Sequence, residues 1–256
     1  MFTILKKTKS ILKAAIDILM PPICYVCGES CKSKYGLCRE CLQKILYIPG
    51  PFCHGCGKHI AESGTLCAEC LGRDFLVKKA WSCCYYMDTI KECIHLFKYS
   101  GYIGMADIFG DIMTDFARKN LAGEKIDLIV PVPSYPTKKR ERTYNHAEVL
   151  ARSLSKRLLI PIDAKNLKKL KWSQSQSELG REKRLKNVSG TFLVVDKNRF
   201  IRQNVLLIDD VYTTGATIDE CARTLVNAKA KNVFSLTLAR GMLNSSSLKK
   251  DPVKSR

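Results

Sequence analysis

The chain has 256 residues, 46% of them hydrophobic, which argues against wholesale disorder and allows one sizeable core with a small accessory module. Lys and Arg outnumber Asp and Glu by 43 to 24, and the net charge of +19 favours a polyanionic partner: nucleic acid, a phosphorylated small molecule or an anionic membrane surface. No apolar run approaches the roughly 18 residues that span a membrane, so we expect no transmembrane segment.

Residues 1–21 are predicted to form an N-terminal amphipathic helix, because Leu5, Leu12, Ile16 and Leu19 fall close to one face. Its lysines would allow peripheral contact with a membrane, although such a helix more commonly packs on the domain that follows it. No small-residue cleavage site of a signal peptide follows, so we expect a cytoplasmic, reducing location.

Residues 22–75 are predicted to form a double zinc ribbon, since 22–42 and 51–71 repeat one pattern at an offset of 29. Each copy reads C-x2-C-G-x9-C-x2-C-L, and two C-x2-C pairs across a short hairpin supply four thiolates for one tetrahedral zinc ion. The predicted ligands are Cys24, Cys27, Cys38 and Cys41 for the first ion, and Cys53, Cys56, Cys67 and Cys70 for the second. Cross-braced ligation, and substitution by His54 or His59, stay open as alternatives.

A zinc site closed by four thiolates has a structural role, because no position is left open for a substrate. The five remaining cysteines break the repeat and are expected to be packing residues: Cys31, Cys83, Cys84, Cys93 and Cys221.

The segment 80–241 alternates apolar strands with amphipathic helices, which predicts a parallel α/β sheet flanked by helices. The predicted strands are 81–87, 126–132, 192–195, 205–209 and 233–239, and the predicted helices are 90–100, 105–116, 144–158 and 217–229. Residues 163–191 are polar without periodicity and predict a long loop, and the tail 242–256 is predicted to be disordered.

A phosphate site is predicted within Val205–Thr217, which reads V-L-L-I-D-D-V-Y-T-T-G-A-T. A buried strand delivers Asp209 and Asp210 at its carboxyl end, where open α/β sheets bind ligands. The loop that follows offers backbone N–H groups at a helix N-terminus, which form a concave anion site. The candidate binding residues of this loop are Thr213, Thr214, Gly215, Ala216 and Thr217. Because two carboxylates repel a bare phosphate, we expect them to meet ribose hydroxyls or Mg²⁺.

These thirteen residues resemble the signature with which type I phosphoribosyltransferases bind phosphoribosyl pyrophosphate (PRPP). The resemblance implies that the loop grips the 5′-phosphate, that Asp209 and Asp210 address the ribose 2′- and 3′-hydroxyls, and that Mg²⁺ accompanies PRPP. In type I enzymes the loop after a strand such as 127–132 cradles pyrophosphate and magnesium. Arg142 is the candidate phosphate contact there, because a guanidinium binds phosphate oxygens in pairs.

Further motifs narrow the resemblance: Asp127–Pro133, Arg142–His146, Gln176–Asn187 and Gly190–Phe192. Together with the twin ribbon they look like the ComF family, phosphoribosyltransferase-like proteins linked to natural DNA uptake in bacteria. The resemblance covers roughly residues 15–240. The chain departs from the family at Thr143, His146 and Trp172, where Gly, Gln and a smaller residue are usual.

Lys98 matches a position that the family commonly fills with Lys, which makes it a candidate for binding PRPP. Its alternative role is to complement the helix dipole, because it lies at the C-terminal end of a predicted helix.

Three functions are consistent with these features. The first is a PRPP-binding protein that handles incoming single-stranded DNA and contacts protein partners of the uptake machinery. The second is an active phosphoribosyltransferase with an unidentified nitrogen nucleophile, in which Asp209, Asp210 and Arg142 are the catalytic residues. The third is a non-enzymatic zinc-ribbon adaptor, which the intact acidic pair disfavours. The candidates for DNA contact on the ribbons are Tyr25, Lys32, Lys34, Tyr35, Lys58 and Arg73.

Overall fold

The computed structural model describes residues 22–33, 35–61, 66–134, 144–170 and 190–241. Four predicted features lie outside these ranges: the N-terminal helix, the loop that carries Arg142 and Thr143, the motif Gln176–Asn187 with the nearby Trp172, and the C-terminal tail. Lys34 also lies outside them.

The described residues form the α-helices α1 (Arg39–Gln43), α2 (Asp88–Tyr99), α3 (Met105–Asn120), α4 (His146–Leu158) and α5 (Ala216–Asn227). The strands are β1 (Lys79–Tyr85), β2 (Leu128–Pro131), β3 (Leu167–Lys169), β4 (Phe192–Val194), β5 (Asn204–Tyr212) and β6 (Asn232–Arg240). Among the residues that the structure describes, no helix is long and apolar enough to cross a membrane.

Four strands form one sheet in the order β1-β6-β5-β2, and every neighbouring pair is parallel. Leu206 of β5 is in register with Ile129 of β2 on one side and Phe234 of β6 on the other. The predicted parallel sheet is therefore confirmed. Because all four strands run the same way, their carboxyl ends share one edge, which is where ligands bind in such sheets.

Helices cover both faces of this sheet, as the continuous apolar runs of its strands require. Successive residues of β5 enter opposite cores: Leu206 and Ile208 pack with α2, α3 and α4, whereas Val205 and Leu207 pack with α5. The cysteine repeats divide in the same way. Cys24 belongs to the first of these cores and Cys53 to the second, so each ribbon packs on a different face of the sheet.

A second, two-stranded sheet pairs β3 with β4 in antiparallel register, Leu167 opposite Val194 and Lys169 opposite Phe192. The prediction of one long loop from 163 to 191 is thus wrong at its start. The predicted strand 192–195 forms, as β4, but it belongs to this small sheet and not to the parallel one. Three-residue strands are too short to show periodicity, and the residues that pair with β3 are 23 to 27 positions further along the chain.

Candidate zinc clusters and phosphate site

The two cysteine repeats each bring four thiols together. The sulfurs of Cys24, Cys27, Cys38 and Cys41 all lie within 4.8 Å of one another, and so do those of Cys53, Cys56, Cys67 and Cys70. Ligands of a tetrahedral ion with zinc–sulfur bonds of about 2.3 Å are about 3.8 Å apart. The Cys27–Cys38 and Cys56–Cys67 sulfur distances of 3.6 and 3.7 Å fit this geometry. Both clusters therefore suit zinc, grouped repeat by repeat.

The first C-x2-C pair of each ribbon, its first knuckle, is followed by a glycine whose backbone adopts the left-handed conformation. Gly28 has a φ of 77° and Gly57 a φ of 70°, and their N–H groups donate to the Cys24 and Cys53 carbonyls at 2.9 and 2.8 Å. Backbone N–H groups also point at sulfur: that of Cys67 lies 3.3 Å from the Cys53 Sγ. Such donors favour thiolates.

The histidines considered as substitute ligands lie outside both clusters. The Nδ1 of His59 lies 3.0 Å from the Pro49 carbonyl oxygen, and the carbonyl of His54 accepts a backbone bond from Ala80. Of the five other cysteines, four are buried and Cys31 is half-buried. Burial raises the pKa of Cys84 and of Cys93 to about 12, which keeps both as inert thiols.

The candidate phosphate site begins at the carboxyl end of β5, as predicted. Asp209 and Asp210 are half-buried, the next turn carries the exposed Thr213 and the buried Thr214, and α5 starts at Ala216. The N–H groups of the first turn of a helix have no partner within it, so they can bind an anion. Gly215 precedes α5 with a φ of 84°, a conformation that favours glycine.

Lys98 joins this site from the last turn of α2. Its Nζ lies 2.8 Å from the Asp210 Oδ1, and both side chains are largely buried, at 19% and 13% exposed. Burial acts against the charge on Lys98, but the charge and hydrogen bond of Asp210 outweigh it, so the pKa of Lys98 is raised. The helix-dipole role proposed for Lys98 is therefore not its main interaction.

The carboxyl group of Asp209 has a strongly perturbed pKa. Burial, together with the negative charge of Asp210, raises the pKa of Asp209 to about 7, although the N–H of Asp210 donates to its Oδ1 at 2.9 Å. A divalent cation or ribose hydroxyls beside the pair would favour its ionised form. The chemistry of these donors therefore fits the partners inferred from the sequence.

The carboxyl end of β2 lies beside a cavity of about 380 Å³. Its lining includes Pro133, the acidic Glu148 and three lysines: Lys165, Lys168 and Lys169. Such a lining suits a polyanion. The sequence analysis missed these lysines, because they lie within the segment predicted as a loop.

His146, one of the departures from the family motif, is buried in an aromatic cluster. Its ring lies 5.0 Å from that of Phe97 and 4.9 Å from that of Tyr144, whose hydroxyl donates to the Phe97 carbonyl at 2.7 Å. This cluster therefore supports the end of α2 that carries Lys98.

The ribbon residues considered for DNA contact are not equally available. Tyr25 is 43% exposed, with its ring 4.7 Å from that of Tyr102. Tyr35 is half-buried, and its hydroxyl donates to Asp111. Lys32 is exposed, Lys58 pairs with Glu69 at 3.2 Å, and Arg73 pairs with Asp219 at 3.6 Å.

Two residues to which the sequence analysis gave no role join the phosphate loop to the second ribbon. Tyr212 donates its hydroxyl to the Gly55 carbonyl at 3.4 Å, and Arg240 donates to the Cys56 carbonyl. These pairs are separated by 157 and 184 residues, so no local pattern could indicate them.

The described residues define a class of protein: two four-cysteine clusters of the zinc-ribbon kind joined to an α/β domain with a parallel sheet. In agreement, residues 15–71 match the family "Double zinc ribbon domain".

Two competence proteins are similar to this chain. It is 36% identical over 115 residues to Competence protein F of Haemophilus influenzae, covering 44% of this chain and 50% of that protein. It is 32% identical over 158 residues to Competence protein ComFC of Bacillus subtilis, covering 60% and 61%. The chain thus spans about half to three-fifths of the length of these relatives. The predicted resemblance to ComF-type competence proteins is confirmed.

Two more distant likenesses extend the comparison. The chain is 25% identical over 158 residues to the DNA utilization protein YhgH of Escherichia coli, covering 60% of this chain and 69% of that protein. Among solved structures, an adenine phosphoribosyltransferase is similar at a TM-score of 0.38 and 14% identity, over 57% of this chain and 74% of that one.

Proposed function

We propose that this protein binds PRPP with Mg²⁺ at the β5–α5 loop and handles single-stranded DNA during DNA uptake in the cytoplasm. The observation that carries the proposal is the Asp209–Asp210 pair, held by Lys98 directly before the N-terminus of α5. The names of the relatives, competence and DNA utilization proteins, support the DNA role.

In this proposal different residues of the site bind different groups of PRPP. The N–H groups of Ala216 and Thr217 and the hydroxyls of Thr213, Thr214 and Thr217 bind the 5′-phosphate. Asp209 and Asp210 accept hydrogen bonds from the ribose hydroxyls. Mg²⁺ would supply electrostatic stabilisation of the pyrophosphate. Arg142 and the lysines of the β2 cavity would contact the same pyrophosphate oxygens.

The single-stranded DNA site is proposed at Tyr25 and Tyr102. The two exposed rings lie side by side, and Tyr99 and Ile103, 60% and 55% exposed, are close in sequence to Tyr102. The Tyr25 ring also packs closely on Gly36, where a Cβ would lie 2.0 Å from it. Exposed aromatic rings suit the stacking of unpaired bases.

Binding of single- and double-stranded oligonucleotides at about 0.15 M salt tests the DNA role. Charge alone gives affinity that falls steeply with salt, whereas stacking persists. We expect a preference for the single strand that Tyr25→Ala with Tyr102→Ala weakens roughly fivefold to hundredfold, corresponding to about 1–3 kcal/mol per base. Tyr47→Ala is the matched control, because Tyr47 is 54% exposed elsewhere. Equal binding of both forms, lost together at this salt, would contradict the DNA role.

The second candidate function, phosphoribosyl transfer to a nitrogen nucleophile, is favoured by the same intact acidic pair. The chain's own residues would hold the departing pyrophosphate while the acceptor approaches the ribose. A screen of purines, pyrimidines and amines for pyrophosphate release in the presence of PRPP and Mg²⁺ separates it from simple binding. Release with one acceptor class would establish the enzyme.

A further inference from the structure

Tyr212 and Arg240 are neighbours at the carboxyl edge of the sheet. They are in register at the ends of β5 and β6, and the Arg240 guanidinium lies 5.0 Å from the centre of the Tyr212 ring. Both residues are almost fully buried, at 3% and 4% exposed. A buried arginine needs hydrogen-bond acceptors, because an unsatisfied charge inside a protein is costly.

The acceptors lie in the first knuckle of the second ribbon. Three successive carbonyls of this knuckle are bound by the sheet: that of His54 by the N–H of Ala80 at 2.8 Å, that of Gly55 by Tyr212, and that of Cys56 by Arg240. Because Cys53 and Cys56 are the sulfur ligands of this knuckle, the second cluster is joined directly to β1, β5 and β6.

The same tyrosine also contacts the phosphate loop. A Cβ on Gly215 would lie 2.1 Å from the Tyr212 hydroxyl oxygen, so the loop lies directly against this side chain. A second link runs from the ribbon to α5, where Arg73 pairs with Asp219 at 3.6 Å. The loop is therefore packed between α5 and the second ribbon.

The first ribbon has different neighbours. Tyr25 packs on Tyr102, between α2 and α3, and Tyr35 donates to Asp111 of α3. These contacts lie on the opposite face of the sheet from α5. The two clusters are thus unequal in their relation to the loop, although their sequences repeat.

We propose that the second zinc cluster positions the phosphate-binding loop through Tyr212 and Arg240, so that zinc there and PRPP at the loop stabilise each other. The inference rests on the proposed PRPP site. Tyr212 and Arg240 are positioning residues, since each acts through the loop or the knuckle. Coupling between two sites is reciprocal in binding free energy, so bound PRPP must strengthen zinc binding at the second cluster by the same factor as zinc there strengthens PRPP binding. We expect the stronger zinc binding to appear as slower zinc release.

Zinc release to a coloured chelator measures this coupling. In the variant Cys24→Ser with Cys27→Ser only the second cluster keeps its four ligands, and we expect saturating PRPP to slow zinc release at least threefold. In the parent protein PRPP should slow the release of one of the two zinc ions. This measurement keeps the test valid if the variant folds poorly. Adding Asp209→Ala and Asp210→Ala should abolish the effect, which excludes zinc binding by PRPP in solution.

Tyr212→Phe tests the positioning role, because it keeps the buried ring and removes the bond to Gly55. We expect about a threefold to tenfold loss of PRPP affinity by calorimetry and a smaller effect of PRPP on zinc release, with Tyr47→Phe unchanged. If PRPP binds the parent but slows the release of neither zinc ion, the coupling is wrong and the proposed PRPP site stands. If PRPP does not bind the parent at all, the proposed function and the coupling both fail.

Discussion

The Lys98 Nζ lies 2.8 Å from the Asp210 Oδ1, and this contact joins the end of α2 to the carboxyl end of β5. Lys98 and Asp210, which are 112 residues apart in the chain, thereby form one largely buried charge cluster with Asp209. The cluster holds the acidic pair beside the start of α5, where the phosphate site is proposed.

Lys98→Met is expected to destabilise the fold, since it leaves the Asp210 carboxylate without its cation in a largely buried position. We expect a loss of about 1–3 kcal/mol in the free energy of unfolding, measured with urea at pH 8. Because the pKa of Lys98 is raised above the unfolded value, its contribution is present below about pH 10 and is lost as the pH rises through the folded pKa.

The exposed Lys91, on the same helix, provides the control for this experiment. Lys91→Met should change stability by no more than about 0.5 kcal/mol. Equal stability of the Lys98 and Lys91 variants would show that the ion pair contributes nothing.

Asp209→Asn should change how stability depends on pH. The folded pKa of about 7 lies above the unfolded value of about 3.9, so the folded parent binds the extra proton between these values. The stability contributed by Asp209 is therefore present at low pH and declines as the pH rises from about 4 to about 7. Asparagine does not titrate and avoids this decline.

The measurement is the difference in unfolding free energy, variant minus parent, without PRPP or Mg²⁺. Between pH 5 and pH 8 the variant should become more stable relative to the parent by on the order of 2 kcal/mol. Subtraction cancels the zinc loss that acid causes in both proteins. A difference that stays constant with pH would mean that the pKa of Asp209 is not raised.

Gly215→Ala should damage the phosphate loop, because its φ of 84° is strained for alanine and the new Cβ would meet the Tyr212 hydroxyl. We expect a destabilisation of about 1–3 kcal/mol and weaker PRPP binding. Gly123→Ala is the matched control: nothing lies within 4 Å of its Cβ position, and its stability should be nearly unchanged. A Gly215 variant that behaves like the control would mean that the loop is loosely packed.

Elemental analysis should find two zinc ions per chain, because two complete clusters of four thiols are present. Cys24→Ser with Cys27→Ser should remove one ion and leave the other. Loss of both ions together would indicate cross-braced ligation, and a metal-free protein with disulfide bonds would contradict the assignment.

The parts of this structure that the sequence predicts are those encoded locally. The cysteine spacing places four sulfurs around one point within each copy, and Val205–Thr217 carries its own strand, turn and helix signals. The parts it could not predict depend on distant residues. Lys98 meets Asp210 and Arg240 meets the Cys56 carbonyl only because the sheet order brings them together.

The dependence on distant residues also explains why sequence reasoning overstated how available Tyr35 is for DNA contact. Tyr35 and Tyr25 look equivalent in the first ribbon, yet Tyr35 uses its hydroxyl on Asp111 of α3. Which aromatic side chains stay exposed is decided by how the ribbon packs, and Tyr102, which packs beside Tyr25, comes from the segment between α2 and α3.

Calorimetric titration of PRPP with Mg²⁺ tests the central claim most directly. The parent should bind one PRPP per chain and gain thermal stability, because a ligand that binds only the folded state stabilises it by mass action. Asp209→Ala with Asp210→Ala should abolish both effects in a folded protein. Asp107→Ala with Asp115→Ala, which removes the same charge from exposed positions on α3, should bind like the parent. Undiminished binding by the Asp209–Asp210 variant would place the PRPP site elsewhere and contradict the account.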